Sequence, residues 1–155
     1  MTTWRSEVAT SLRKAAITLR ADTLRAAKVP PEQSWSDYDK GAPKTPWGPA
    51  QGAYNIAPGV RWFHTAGHGG LMVAKGVAPK VLSDAARKSA DFWAGNFWFE
   101  EDAQYAIAFL EHPEWGEILK KIAGGSGGTK ESYLDVVTRY FPKYAEMQQS
   151  GFKMP

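Results

Sequence analysis

Two turn signals in residues 53–74 constrain the fold of this chain more than any other feature. Pro58-Gly59 suits a tight turn, and Gly67-His68-Gly69-Gly70 makes a second one. The pieces on either side are short and rich in β-branched and aromatic residues, which is typical of strands. The segment therefore predicts an antiparallel meander of three strands.

The middle strand of this meander is the most informative piece. Side chains alternate between the faces of a strand, so Val60, Trp62 and His64 share one face. Arg61 and Phe63 point to the other face. Because each face carries an aromatic residue, we expect this strand to be central and covered on both sides.

The remaining segments divide into one N-terminal and one C-terminal region. Residues 1–29 read as a basic amphipathic helix, and the proline-rich and glycine-rich residues 30–52 as a connector without regular structure. Residues 79–155 read as mostly helical, with a glycine-rich link at 124–128. The sequence thus predicts a single α+β domain over 1–155, in which N-terminal and C-terminal helices pack on a small three-stranded meander.

The predicted C-terminal helices have recognisable boundaries. Pro79 suits the first turn of a helix that runs to about residue 90, and a further helix ends near His112. Pro113 opens a short helix, and Thr129 can cap the last one. We expect the last helix to have an apolar side, formed by Tyr133, Val136, Val137, Tyr140 and Phe141.

Composition excludes several classes of protein. The chain has no cysteine, which rules out disulfides, thiolate catalysis and zinc fingers. No apolar run approaches the roughly 20 residues of a membrane-spanning helix, and the N-terminus lacks the apolar core of a signal peptide. We therefore expect a soluble cytoplasmic protein without a membrane partner.

Charge leaves nucleic-acid binding open as an alternative. The net charge is only +3, but residues 1–28 hold six basic and two acidic side chains. Residues 100–155 hold six basic and nine acidic ones, so no basic face spans the domain. A nucleic-acid site would have to use the N-terminal helix, through Arg13, Lys14, Arg20 and Arg25.

A metal-dependent hydrolase or nuclease is a second alternative. His64 and His68 with Glu101 and Asp102 could hold iron or zinc. Gly67 breaks the strand between the two histidines, so their relative direction is undefined. The triplet Glu100-Glu101-Asp102 also has a structural interpretation, because carboxylates at a helix start complement the helix dipole.

Nucleophilic catalysis and nucleotide binding have no motif in this chain. Ser126 is surrounded by glycines in Gly124 to Gly128, but no strand precedes it, so the resemblance to a Gly-x-Ser-x-Gly elbow is superficial. The same stretch fails as a phosphate loop because Thr129 stands where a glycine is needed. The sequence therefore predicts no cofactor and favours a binding protein over an enzyme.

Several short motifs occur in a fixed order in the middle of the chain: Thr45-Pro46-Trp47-Gly48, Pro58-Gly59, His68-Gly69-Gly70 and Phe99-Glu100-Glu101-Asp102. In this order they resemble an uncharacterised domain family of phage, plasmid and bacterial proteins, over about residues 45–110. The resemblance implies no reaction. It implies five positions to test, which are Trp47, His68, Glu100, Glu101 and Asp102.

Aromatic content gives the leading hypothesis. The chain has 7 Trp, 6 Tyr and 7 Phe, and tryptophan and tyrosine carry much of the binding energy at protein interfaces. The resemblance implies a phage or mobile-element origin, and with this aromatic content we expect a protein that binds a host or viral protein in a bacterium, with inhibition of a defence complex as one outcome. Trp98 joins the five positions above as a candidate contact.

Overall fold

The computed structural model describes residues 30–36, 39–124 and 128–155 of the chain. It has an α+β fold in which helices cover one face of a six-stranded sheet. The strands are β1 (Glu32–Ser34), β2 (Lys44–Thr45), β3 (Gly48–Pro49), β4 (Gly52–Ala57), β5 (Val60–His64), β6 (Gly69–Ala74), β7 (Asp91–Trp93) and β8 (Asn96–Glu100). The helices are α1 (Ala78–Val81), α2 (Asp84–Ser89), α3 (Tyr105–Glu111), α4 (Pro113–Ala123), α5 (Lys130–Tyr140) and α6 (Pro142–Ser150). The helix predicted for residues 1–29 lies outside the described residues.

The sheet has the strand order β1-β4-β5-β6-β8-β7, and every neighbouring pair is antiparallel. The predicted meander is confirmed as β4-β5-β6, with its first turn at Pro58-Gly59. The prediction of only three strands is wrong, because β1 extends the sheet on one side and β8 and β7 extend it on the other. Strands β2 and β3 form a separate two-stranded hairpin within the predicted connector.

Strands β7 and β8 lie in the region that we predicted to be helical. The run Phe97-Trp98-Phe99 shows no alternation of apolar and polar residues, because both faces of β8 are buried. Phe97 and Phe99 pack in the core beneath the helices, whereas Trp98 packs on the opposite face. A strand that is covered on both sides loses the polar half of the strand pattern.

Two predicted helix boundaries are also wrong. The helix predicted for 79–90 is split into α1 and α2, because the Ser83 side chain accepts a hydrogen bond from the Ala86 amide and starts a new helix. Glu100 ends β8, and the rest of the acidic triplet lies in a turn before α3 begins at Tyr105. The first turn of α3 contains no acidic residue, so the helix-dipole interpretation of the triplet does not hold.

The C-terminal helices follow the predicted boundaries more closely. Pro113 begins α4, and the Thr129 side chain caps α5 by accepting a hydrogen bond from the Ser132 amide. Tyr133 and Val137 are buried as expected. Tyr140 is 60% exposed, so the apolar side of α5 does not extend to it. A further helix, α6, begins at Pro142.

The buried residues form two clusters, one on each face of the sheet. The larger cluster lies between the sheet and the helices and includes the fully buried Trp115. The smaller one contains Phe63 of β5 and Trp98 of β8. The prediction that β5 is central and covered on both sides is therefore confirmed. Among the described residues, no helix combines the length and apolar character needed to cross a bilayer.

Candidate functional site

Four tryptophans gather on the sheet face that the helices leave uncovered. Trp98 of β8 lies in the smaller core cluster, and Trp35 and Trp47 pack against that cluster from the chain before β4. Trp93 of β7 lies beside Trp98, with ring centroids 6.0 Å apart. We call this surface, formed by Trp35, Trp47, Trp93 and Trp98 around Phe63, the tryptophan face.

Trp98 is the centre of the tryptophan face. Its ring centroid lies 5.7 Å from that of Trp47, in an edge-on arrangement, and 5.6 Å from that of Phe63. Its indole Nε1 donates a 3.0 Å hydrogen bond to the carbonyl oxygen of Trp93. Trp98 is only 2% exposed, whereas Trp93 is 39% exposed. Trp98 therefore fixes the neighbouring rings from beneath, and Trp93 offers the accessible surface.

Arg61 is a member of this face that we did not single out from the sequence. Its guanidinium carbon lies 4.9 Å from the Phe63 ring centroid and 5.8 Å from that of Trp35. Its Nε donates a 2.8 Å hydrogen bond to Asn55, and Nη2 donates to Gln33. Burial lowers the pKa of Arg61. Side chains alternate between the two faces along β5, so Arg61 points to the same face as Phe63. This alternation is the sequence feature from which Arg61 could have been identified.

His68, Glu100 and Asp102 form a cluster that we call the acidic corner. One potential ligand atom from each residue lies within 4.8 Å of the other two. The Asp102 amide donates a 2.7 Å hydrogen bond to a Glu100 carboxylate oxygen, and the Glu100 amide donates a 2.9 Å bond to Gln104 Oε1. His68 is held in its turn by Thr65, whose amide and hydroxyl both donate to the His68 carbonyl. The cluster has the nitrogen and oxygen donors that zinc, iron or manganese accept.

The two glycines after His68 bring the acidic corner against the tryptophan face. Gly70 is paired with Glu100 across β6 and β8. A Cβ at Gly70 would lie 2.5 Å from Cη2 of Trp47 and 2.3 Å from the Phe99 carbonyl oxygen. A Cβ at Gly69 would lie 2.7 Å from the Phe63 carbonyl oxygen. The two glycines of the His-Gly-Gly motif are needed because neighbouring atoms leave no room for a Cβ at either position. The absence of a side chain at Gly70 lets the Trp47 ring lie over β6 beside Glu100.

Glu101 and His64 lie apart from the acidic corner. Glu101 lines a cleft of about 270 Å³ on the helical side, together with Trp62 and Tyr105. The His64 ring lies over Gly52, where an added Cβ would be 2.1 Å from Nε2. Two of the four predicted metal ligands, His68 and Asp102, lie close together. Among the described residues, the third member of this cluster is Glu100, and neither His64 nor Glu101 belongs to it. Glu100 and Glu101 separate because successive residues at a strand end face opposite ways.

Five of the six predicted contact residues thus lie on or beside one face. These are Trp47, Trp98, His68, Glu100 and Asp102, and Glu101 alone faces the helices. The residues proposed for nucleic-acid binding, Arg13, Lys14, Arg20 and Arg25, lie outside the described part of the chain. Trp93, the most exposed tryptophan of this face, was missed because nothing in the sequence around it indicates exposure.

Comparison with known families agrees with the resemblance seen in the sequence. A family model described as a domain of unknown function, DUF7007, matches residues 40–151. The chain belongs to the DUF7007 family. The DUF7007 match extends beyond the predicted 45–110 into α6, and it includes the acidic corner and three of the four tryptophans of the face. No curated protein and no solved structure matches the chain.

Proposed function

We propose that this DUF7007 protein is a non-enzymatic protein-binding module whose contact surface is the tryptophan face with the acidic corner. The observation that carries the proposal is the position of Trp93. It is 39% exposed, and it stands at the end of a continuous row of rings that runs through Trp98 to Trp47. Tryptophan and arginine dominate the residues that contribute most to protein interfaces.

Two residues of the tryptophan face are held in place by their neighbours, which favours tight binding. Trp98 is held by a hydrogen bond to the Trp93 backbone, and Arg61 is held between two rings by Asn55 and Gln33. Ordering a free side chain on association costs about 0.5–1.5 kcal/mol, and groups that are already fixed avoid that cost. A partner would meet a surface that needs little rearrangement.

The charge beside this face indicates the chemistry of the partner. Glu100 and Asp102 contribute carboxylates at the corner, and the exposed Asp91 lies across the ladder from Trp98. A complementary surface has an apolar patch with lysine or arginine at its border. A host or viral protein in the bacterial cytoplasm, with inhibition of a defence complex as the outcome, stays our prediction for the identity of the partner.

Affinity purification with matched variants tests this proposal. The tagged wild type, Trp93→Ser and Glu100→Lys proteins are purified from bacterial lysate, with Leu134→Ser as the control. Leu134 is 52% exposed on α5, so its replacement removes a similar apolar surface elsewhere. We expect one stoichiometric protein that is depleted at least tenfold by both face variants and retained by the control. Equal recovery with all four proteins would refute the proposal.

A metal-binding function is the second candidate, and the convergence of His68, Glu100 and Asp102 within 4.8 Å favours it. The hydrolase or nuclease alternative then uses these three residues. Calorimetric titration with Mn²⁺ and Zn²⁺ tests it, because His68→Ala and Asp102→Asn should remove binding. His64→Ala and Glu101→Gln should keep it, because neither side chain belongs to the corner. Loss in the second pair, or no heat with the wild type, would reject this candidate.

Nucleic-acid binding through residues 1–29 stays a further prediction. Neutralising backbone phosphates releases counterions, so such binding weakens steeply as salt rises. A mobility shift that persists unchanged from low to high salt would reject it.

A further inference from the structure

The two edges of the six-stranded sheet differ in chemistry. Edge strand β1 has the polar sequence Glu32-Gln33-Ser34. Edge strand β7 has the sequence Asp91-Phe92-Trp93, and all three residues are exposed. Phe92 is 57% exposed. Proteins normally protect an edge with charged residues or proline, because an apolar edge invites another strand to pair with it.

The backbone of β7 has hydrogen-bonding groups that face away from the sheet. A two-residue turn at Ala94-Gly95 joins β7 to β8, and both residues have positive φ, 49° and 82°. In such a hairpin the residues that flank the turn, Trp93 and Asn96, form a hydrogen-bonded pair. The next pair, Phe92 with Phe97, is therefore not hydrogen-bonded, so the amide and carbonyl of Phe92 point outward.

A basic groove lies beside this edge, on the helical side of the sheet. Its volume is about 570 Å³. The apolar lining includes Phe92 and Phe97, whose ring centroids lie 5.0 Å apart. Lys75, Arg87 and Lys88 line the same groove, and none of the described lining residues is acidic. Asp84 pairs with Arg87, which leaves the exposed Lys75 and Lys88 as the charges that face an occupant.

We propose that β7 is a strand-addition site for an extended segment of another protein, one that places a carboxylate and an apolar side chain in the basic groove. The outward groups of Phe92 supply backbone pairing, and side chains that alternate along the added strand supply specificity. Lys75 and Lys88 favour a segment with negative charge. This inference rests on the proposed function, because in both cases the ligand is a protein. The strand-addition site, however, consists of β7 and the basic groove and does not include the tryptophan face.

A second copy of this chain fits the edge less well. Pairing of two β7 strands would bring the basic grooves of both copies together, and like charges at short range oppose association. We therefore commit to a segment of a different protein.

Selection of peptides from a random twelve-residue library tests the proposal. The wild type should enrich peptides that combine an acidic residue with apolar residues at alternate positions. A Lys75→Glu/Lys88→Glu double variant and Phe92→Ser should weaken binding of the best peptide at least tenfold, measured by fluorescence polarisation. The double variant Lys121→Glu/Lys130→Glu makes the same charge change at exposed lysines outside the groove, so it should bind normally.

N-methylation of each peptide amide in turn supplies a readout specific to strand pairing. Methylation of the one peptide amide that donates to the Phe92 carbonyl should abolish binding, and methylation of the amides on either side of it should leave binding intact. No enrichment, enriched peptides without acidic residues, or a uniform effect of methylation would overturn the inference. A wild-type dimer that dissociates with Phe92→Ser would overturn it in favour of a second copy.

Trp93→Ser separates this inference from the proposed function. It should remove the partner recovered from lysate while the selected peptide still binds. If the peptide fails and the Trp93-dependent partner remains, only the strand-addition site is refuted.

Discussion

The Tyr144 hydroxyl donates a 2.7 Å hydrogen bond to the Glu111 carboxylate, and this bond connects α6 with α3. Glu111 ends α3, and it also accepts from the Ser83 amide at 2.8 Å, the Ser83 hydroxyl at 2.5 Å and the Gln148 side chain at 2.9 Å. Ser83 precedes α2, whereas Tyr144 and Gln148 belong to α6. One carboxylate therefore fixes the positions of α2, α3 and α6 relative to one another.

Loss of the Tyr144 hydroxyl should destabilise the protein and change its response to alkaline pH. Burial raises the pKa of Tyr144, and the neighbouring Glu111 carboxylate raises it further. An unfolded tyrosine has a pKa of about 10, so this contribution to stability is complete below about pH 10 and is lost above it. Tyr144→Phe should cost about 1–3 kcal/mol at pH 7 and reduce the loss of stability as the pH rises from about 10 to 11.

Urea unfolding at pH 7 and between about pH 10 and 11 measures both effects. Tyr140→Phe is the control, because Tyr140 is 60% exposed and its replacement should leave the free energy of unfolding at pH 7 unchanged. The same pH profile for Tyr144→Phe and the wild type would contradict this account.

Ser83→Ala should weaken the same network from its other end. The Ser83 hydroxyl caps α2 by accepting from the Ala86 amide, and it donates to Glu111. Loss of a cap costs about 1 kcal/mol, and loss of a hydrogen bond to a charged group about 1.5–3 kcal/mol. We expect a combined loss of about 2.5–4 kcal/mol in the free energy of unfolding. Ser150→Ala, an exposed position near the end of α6, should stay within about 0.5 kcal/mol of the wild type.

Gly70→Ala should disrupt the junction between the acidic corner and the tryptophan face. The added methyl would collide with the Phe99 carbonyl oxygen and with the Trp47 ring. Because the first is backbone, the β6–β8 pairing must shift, and we expect a cost of about 1–3 kcal/mol with a change in tryptophan fluorescence. Gly76→Ala is the control, because nothing lies within 4 Å of its Cβ position. Similar stability for both variants would show that this close approach does not constrain the fold.

The sequence was informative where structure is determined locally. The meander β4-β5-β6 was predictable because its turn residues and its alternation are contained in consecutive residues. Strand β8 was not, because burial on both faces removed the alternation from Phe97-Trp98-Phe99. Strand β1 is polar and pairs with β4 through its backbone, so its residues carry no apolar pattern.

The same distinction applies to the candidate site. Motifs indicated Trp47, His68, Glu100 and Asp102, but their convergence depends on the register that pairs Gly70 with Glu100. A shift by one residue would have placed Glu101 on the tryptophan face instead. The exposure of Phe92 and Trp93 follows from the position of β7 at the sheet edge, which is a property of the whole sheet.

Replacement of Ala94, in the turn between β7 and β8, should stabilise the β7 edge of the sheet without changing its aromatic residues. It is the one described residue other than glycine with positive φ, at 49°. Left-handed backbone costs an ordinary residue roughly 1–2 kcal/mol, whereas asparagine and glycine tolerate it. Ala94→Asn creates the Asn-Gly pair that hairpin turns of this type prefer, and it should raise the free energy of unfolding by about 0.5–1 kcal/mol. Gly95→Ala, at φ 82°, should lower it by a similar amount. Urea unfolding measures both changes, and a loss of stability in Ala94→Asn would show that the turn does not have this conformation in solution.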